Sequence, residues 1–181
     1  MFIAVRGTRC RACAAARREV DSPPGRWGLL LKETAFLRLV SLRIPALLFV
    51  GPRVLELDGG GCAVKIPLDL RTKNHLGSMY VGVLCAGADL ASGLNAAWLI
   101  FRKHRKVKLS FKNLSADFLK RADGDVVFRS RDGTKIREAV ERADATGERV
   151  TVPIEVVATV PRKYGDEPVA RFTMGLSLKR P

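Results

Sequence analysis

One carboxylate stands in a long apolar stretch of the sequence. Asp89 is the only charged residue between Gly77 and Phe101. An ionised carboxylate in apolar surroundings is costly unless it is paired, hydrogen-bonded or protonated. Asp89 therefore indicates either a functional site or a buried ion pair with one of the many arginines and lysines of the chain, and the residues around it leave both readings open.

The residues just before this carboxylate predict a helix start that suits an anion. Ser78 is a favoured N-cap residue, so we expect the helix to begin at Met79. The first amides of a helix lack intrahelical acceptors and carry a partial positive charge, which stabilises the oxyanion that develops on a thioester or amide carbonyl. The amides expected to supply these donors are those of Tyr80, Val81 and Gly82.

Small residues flank the carboxylate on the predicted helix. Gly82, Ala86, Asp89 and Gly93 are spaced by four, three and four residues, which places them along one helical face. Small side chains on this face allow a substrate chain, a strand or a partner helix to approach the carboxylate closely.

Alternating apolar residues predict antiparallel strands around this helix. Residues 54–57 and 62–66 flank Asp58-Gly59-Gly60-Gly61, whose glycines are expected to supply the positive φ of a hairpin turn. Further strands are predicted at 107–112, 125–130, 150–160 and 169–178, and a short peripheral helix is predicted from Ile136, Ala139, Val140 and Ala143. This order predicts an α+β hotdog fold, in which a curved antiparallel sheet wraps around one long apolar central helix.

The chain is predicted to form one domain with a basic extension. Residues 1–27 contain six arginines against two acidic residues, and we expect them to form a disordered extension before a domain at 28–181. Apolar residues from Trp27 to Val50 predict an N-terminal helix that is split at Pro45. The extension lacks a continuous apolar segment of the secretory type. Cys10 and Cys13 form a single Cys-x-x-Cys pair with no second cysteine or histidine pair at zinc-like spacing, so we expect no metal site. Cys62 and Cys85 are interpreted as buried, reduced thiols, which favours a cytoplasmic location, and we expect no cofactor.

The apolar segment 79–101 is long enough to cross a bilayer. Asp89 lies near its centre, where a carboxylate opposes insertion, and the predicted strands need an apolar partner to pack on. We therefore favour a core helix and expect no membrane span.

The formal charge of +14 favours polyanionic partners in general. A nucleic-acid module typically interleaves exposed aromatic residues with its basic ones, whereas aromatic residues make up only 7% of this chain and mostly fall on apolar faces. A basic module that binds nucleic acid or a membrane surface is therefore a third hypothesis, and it ranks below functions that use the Asp89 carboxylate.

A resemblance to a known family sharpens the prediction. The stretch RTKNHLGSMYVG, from Arg71 to Gly82, followed by Ala88-Asp89, resembles the signature of hotdog-fold thioesterases of the PaaI-like group. It is most similar to a branch that carries a domain of unknown function, and the resemblance covers roughly residues 30–180.

The resemblance implies roles for individual residues. Asp89 matches the acid that acts as general base for water or as nucleophile on an acyl thioester, and Asn74 matches the loop asparagine that positions substrate or water. The Val81 amide matches the one that polarises the carbonyl. The resemblance also implies that such sites form between subunits of a homodimer or homotetramer. Remaining candidates for substrate binding are Gly77 and Ser78 near the helix start, and Arg102, Lys103 and Arg105 for the phosphates of coenzyme A.

The chain departs from the family pattern at the helix start. Tyr80-Val81-Gly82 stands where the catalytically active relatives have His-Gly-Gly. The tyrosine keeps a hydroxyl donor, whereas the valine keeps the amide but adds a branched side chain beside it. The sequence therefore predicts an acyl-CoA thioesterase, with a non-catalytic hotdog protein that binds acyl-CoA or a lipid-like ligand as the alternative.

Overall fold

Six strands form one antiparallel sheet in the part of the chain that the computed structural model describes, which comprises residues 35–37, 42, 44–103 and 106–181. The strand order is β1-β2-β4-β5-β6-β3, so that β1 and β3 are the two edges. The strands are β1 (Arg53–Leu57), β2 (Cys62–Ile66), β3 (Lys108–Phe118), β4 (Val126–Ser130), β5 (Val150–Thr159) and β6 (Pro168–Lys179). The helices are α1 (Pro45–Phe49), α2 (Val81–Arg102), α3 (Gly133–Thr146) and α4 (Pro161–Tyr164).

The long helix α2 packs on the concave face of this curved sheet and contacts β2, β4, β5 and β6. Gly87 permits the closest approach, because a Cβ there would lie 2.3 Å from the ring of Phe128. By length and composition α2 could cross a membrane, but 61% of its apolar window is buried inside the protein. Packing against the sheet accounts for its apolar composition, and the predicted α+β fold is confirmed.

The β1–β2 hairpin is confirmed, but the prediction about its glycines is wrong. None of Gly59, Gly60 and Gly61 has a positive φ. Glycine is needed there for space instead, because a Cβ on Gly61 would lie 2.2 Å from the carbonyl oxygen of Ser130. The side chain of Asp58 closes the turn by accepting hydrogen bonds from the amides of Gly60 and Gly61, at 2.7 and 3.1 Å.

The edge strand β3 is longer than the predicted 107–112. Its pairing with β6 shifts register between Phe111 and Leu114, which breaks the alternation that the prediction followed. Gly175 on β6 makes room for this irregularity, because a Cβ there would lie 2.1 Å from Oδ1 of Asn113. The outcome is an eleven-residue edge strand with Leu114 and Phe118 exposed.

The peripheral helix is confirmed as α3, whose buried residues include Ile136, Ala139, Val140 and Ala143. It ends at Gly147, which takes the left-handed conformation (φ 72°). Of the predicted N-terminal helix, residues 35–37 and 42 are helical and Pro45 begins α1. Residues 28–34, 38–41 and 43 and the basic extension lie outside the described residues.

Candidate active site

A compact loop leads into α2 and is organised by Asn74. Its Oδ1 accepts hydrogen bonds from the amides of Leu76 (2.9 Å) and Ser78 (3.2 Å) and from the hydroxyl of Ser78 (3.3 Å). Gly77 sits at the tip of the loop with φ +76°, a conformation that favours glycine. The Nδ2 of Asn74 has no acceptor among the described residues, so it can donate to a bound molecule.

The helix begins two residues later than the sequence predicts, and Ser78 is not its N-cap. The amide of Met79 donates to the carbonyl of Ala122 (2.8 Å) and the amide of Tyr80 donates to the carbonyl of Thr72 (2.8 Å). These two bonds hold the backbone extended through Tyr80, which is the N-cap residue and makes no side-chain cap. Ser78 is buried and binds Asn74 instead, as part of the loop.

Two free amides remain at the start of α2. The amides of Val81 and Gly82 have no acceptor within the described part of the chain, whereas the amide of Tyr80 is occupied. The ring of Tyr80 lies over Gly82, where a Cβ would come within 2.6 Å of it. The side chain of Val81 is 48% exposed beside these donors. The site therefore offers two donors rather than the three predicted.

Asp89 lies two turns further along the same helix. Its side chain is mostly buried and makes no hydrogen bond or ion pair with any described residue. Burial alone raises the pKa of its carboxyl above the usual range. Among the described residues the ion-pair hypothesis thus finds no support, and a carboxyl with a raised pKa and no described partner is the state expected of a general base.

The carboxylate and the free amides do not converge within one chain. Val81 and Asp89 are eight residues apart on one helix, which corresponds to about 12 Å along the axis. A general base and an oxyanion donor must each lie about 3 Å from the reacting groups. Within one chain, the Asp89 carboxylate and the free amides are therefore too far apart to act on the same carbonyl group.

The raised pKa of Asp89 predicts a pH-dependent stability. Because the folded state binds the proton more tightly than the unfolded state, the contribution of Asp89 to the free energy of unfolding is largest below about pH 4 and is lost as pH rises through the folded-state pKa. We expect Asp89→Asn to gain stability relative to the wild type as pH rises from 4 to 8. Urea unfolding of both proteins across this range measures the difference, and a difference that stays constant with pH would contradict the prediction.

The predicted phosphate-binding residues are not gathered at this site. Arg102 and Lys103 lie at the opposite end of α2, about 30 Å along the axis from Val81, and Arg105 lies outside the described residues. Arg121 is closer to the site, since its Nη2 donates to the carbonyl of Leu76 (2.6 Å) in the loop before α2. The roles of Arg102, Lys103 and Arg105 toward coenzyme A stay predictions.

Sequence reasoning missed the part played by Thr72. Thr72 is fully buried. Its hydroxyl donates a hydrogen bond to the carbonyl of Pro67 (2.7 Å) and accepts one from the amide of Asp69 (2.9 Å). Its carbonyl accepts a hydrogen bond from the amide of Tyr80. Thr72 therefore fixes where the helix begins. A threonine in a polar loop carries no sequence signal for such a role beyond its place in the motif from Arg71 to Gly82.

Among the described residues, no group of three or more His, Cys, Asp or Glu side chains could hold a metal ion.

An antiparallel sheet of this strand order, with one long apolar helix on its concave face, defines a protein of the hotdog fold. The family model described as "Domain of unknown function (DUF4442)" matches residues 32–176, and the chain belongs to this family. No match was found among proteins of curated function.

Solved structures share the fold at low sequence identity. One is a Pseudomonas aeruginosa protein of unknown function described as a probable thioesterase, with 24% identity, coverage of 79% of this chain and 92% of that chain, and a TM-score of 0.63. A thioesterase family protein from Silicibacter pomeroyi has 18% identity, coverage of 80% and 96%, and a TM-score of 0.59. A protein of unknown function from Chlorobaculum tepidum has 12% identity, coverage of 82% and 94%, and a TM-score of 0.69. At these identities the likeness shows the fold.

Proposed function

We propose that this protein hydrolyses an acyl thioester, such as an acyl-CoA, at a site formed by two copies of the chain. The observation that carries the proposal is the pair of complementary groups on α2. One is the mostly buried carboxylate of Asp89, and the other is the pair of helix-terminal amides; neither has a hydrogen-bond or ion-pair partner in the described part of the chain. Several structures of the same fold are named thioesterases, which supports this class of reaction.

The chemistry follows from these groups. The carboxylate of Asp89 takes a proton from water, and the water oxygen attacks the thioester carbonyl carbon. The amides of Val81 and Gly82 from the other subunit donate hydrogen bonds to the oxyanion that forms. When the C–S bond breaks, Asp89 returns its proton to the leaving thiolate. Direct attack by the Asp89 carboxylate, followed by hydrolysis of the anhydride, uses the same groups.

The second copy is proposed to pair along β3. Among the described residues this strand has one neighbour, β6. Its other edge presents backbone groups with no described partner over eleven residues, together with the exposed Leu114 and Phe118. A long, partly apolar edge of this kind is a template for pairing with another chain. Pairing two copies there about a two-fold axis would bring α2 of one subunit toward α2 of the other.

A charge on this edge is expected to dissociate the dimer. Leu114→Lys places an ammonium in the proposed interface, so we expect a monomer by light scattering at micromolar concentration and loss of most hydrolysis. Leu55→Lys is the matched control, because Leu55 lies on the opposite edge strand β1 and is exposed to a similar degree, 40% against 42%. If Leu114→Lys stays dimeric, the proposed interface is wrong.

Arg121 is proposed to contact the phosphates of coenzyme A. It is exposed, and its guanidinium contacts the loop that positions the free amides. A thioester whose carbonyl lies at the start of α2 would thus have a cation close by. Lys120, next to it, is engaged with Glu167 at 2.5 Å and lies over the ring of Tyr164.

A non-catalytic acyl-CoA binder is the second candidate. The exposed side chain of Val81 and the ring of Tyr80 crowd the free amides, which favours binding over turnover. Thiol release from acyl-CoAs of two to sixteen carbons distinguishes the two functions when it is combined with calorimetric binding. Saturable thiol release supports the hydrolase, binding without turnover supports the second candidate, and the absence of both contradicts the proposal.

A further inference from the structure

A cavity of about 570 Å³ lies at the C-terminal end of α2, where the β1–β2 turn and the first turn of α3 meet it. This volume is within the range of small-molecule sites. Its described lining combines apolar side chains with cations: Leu57, Trp98 and Leu99 on one hand and Arg102, Lys103 and Arg137 on the other.

The cavity is separate from the candidate active site. Trp98 follows Asp89 by nine residues, which is two and a half helical turns, so the two side chains project from opposite sides of α2. Arg102 lies about 20 Å from Asp89 along the helix axis. The cavity therefore faces away from the groups that the proposed hydrolysis uses.

The charges that line this cavity are unevenly matched. Neither Arg102 nor Arg137 has a carboxylate partner in the described part of the chain, and Lys103 reaches Glu141 only at 3.5 Å between side chains that are both about half exposed. Such an exposed pair contributes little. Asp58 is the one carboxylate of the described lining, and its Oδ1 accepts from the amides of the β1–β2 turn. In the described lining, three cations thus border the cavity with one carboxylate.

Internal hydrogen bonds preform the walls. The Nδ2 of Asn95 donates to the carbonyls of Asp58 (2.8 Å) and Gly61 (3.1 Å), which fixes the hairpin turn to α2. The amide of Gly133 donates to the carbonyl of Gly60 (3.1 Å), which fixes the same turn to the start of α3. The guanidinium carbon of Arg102 lies 5.5 Å from the centroid of the Trp98 ring, a cation–π contact that holds it at the wall.

We propose that this cavity binds an amphipathic organic anion. Arg102 and Arg137 hold its head group, a carboxylate or a phosphate monoester, because guanidinium groups bind both in a bidentate manner. Leu57, Trp98 and Leu99 contact its apolar body. The site is independent of the proposed hydrolysis and takes its ligand whether or not the protein turns over thioesters.

Trp98 can report on occupancy. The chain has two tryptophans, so the full-length Trp27→Phe protein carries Trp98 as its single tryptophan, which can be excited selectively over the tyrosines. We expect octanoate or octyl phosphate to change its emission saturably, with octanol as the uncharged control. Preference for one of the two anions identifies the natural head group as a carboxylate or a phosphate ester.

Matched variants in the same background test the cations. We expect Arg102→Gln and Arg137→Gln each to weaken anion binding at least about ten-fold, as is typical of losing one charged contact. Arg142→Gln, an exposed position on α3 outside the cavity lining, is expected to leave binding unchanged. Asp89→Asn is also expected to leave it unchanged, which separates this site from the candidate active site. The proposal is overturned if neither anion binds, if octanol binds as tightly, or if neither arginine variant weakens binding.

Discussion

Asp89→Asn is expected to lower kcat for acyl-CoA hydrolysis about a thousand-fold or more, because a positioned general base contributes on the order of 100- to 10,000-fold. The amide keeps the size of the side chain and its buried position but cannot accept the proton of water. Since the wild-type carboxyl is mostly buried with a raised pKa, the variant is expected to fold at least as stably. Thiol release under single-turnover conditions measures the effect.

The matched control for this variant is Asp166→Asn, which removes an exposed carboxylate from the turn before β6. We expect it to keep wild-type activity. The pH profile gives a second readout: kcat/KM is expected to rise with pH along an acid limb whose apparent pKa lies above that of an ordinary aspartate. Activity of Asp89→Asn within a few-fold of wild type would exclude Asp89 as base and as nucleophile.

Val81→Pro is expected to lower kcat about 100-fold or more, the effect of losing one oxyanion donor. Val81 is the first residue of α2, where proline is tolerated because its missing amide hydrogen has no intrahelical acceptor. The preceding Tyr80 already has the extended conformation that proline requires (φ −65°, ψ 140°). The substitution therefore removes the donor while preserving the helix.

Val81→Ala is the matched control for the proline variant. It keeps the amide and removes the branched side chain that crowds it, so we expect activity equal to or above that of the wild type. Thermal unfolding of both variants is expected to stay close to the wild type. A proline variant that is fully active and well folded would show that the Val81 amide does not contact the oxyanion.

Much of the fold was predictable because it depends on local periodicity. The alternation in 150–160 and 169–178 reflects strands with one buried face, and the small and apolar residues of α2 reflect a helix packed on a sheet. The length of β3 was not predictable, since the register shift near Asn113 depends on the room left by Gly175 on another strand. The prediction about the hairpin glycines was wrong for the same reason. Glycine is required at position 61 because the carbonyl oxygen of Ser130, a residue distant in sequence, leaves no room for a Cβ.

The candidate site was predictable in composition but not in its details. Asp89 is visible in the sequence because it is the only charge in an apolar segment. The true start of α2 is set by hydrogen bonds from Met79 to Ala122 and from Tyr80 to Thr72, contacts that no local N-cap rule contains. The same contacts reduce the predicted donors from three to two. The cavity beside Trp98 joins three separate elements and has no signature in the sequence.

The most direct test of a shared site is subunit complementation between Asp89→Asn and Val81→Pro. Each variant alone lacks one half of both sites, so each is expected to be nearly inactive. In a dimer that contains one copy of each, one site carries both defects and the other carries none. An equal mixture refolded together should therefore recover about a quarter of wild-type activity, because about half of the dimers are mixed and each has one of two sites intact. Activity no greater than that of the separate variants would contradict a site formed between two subunits.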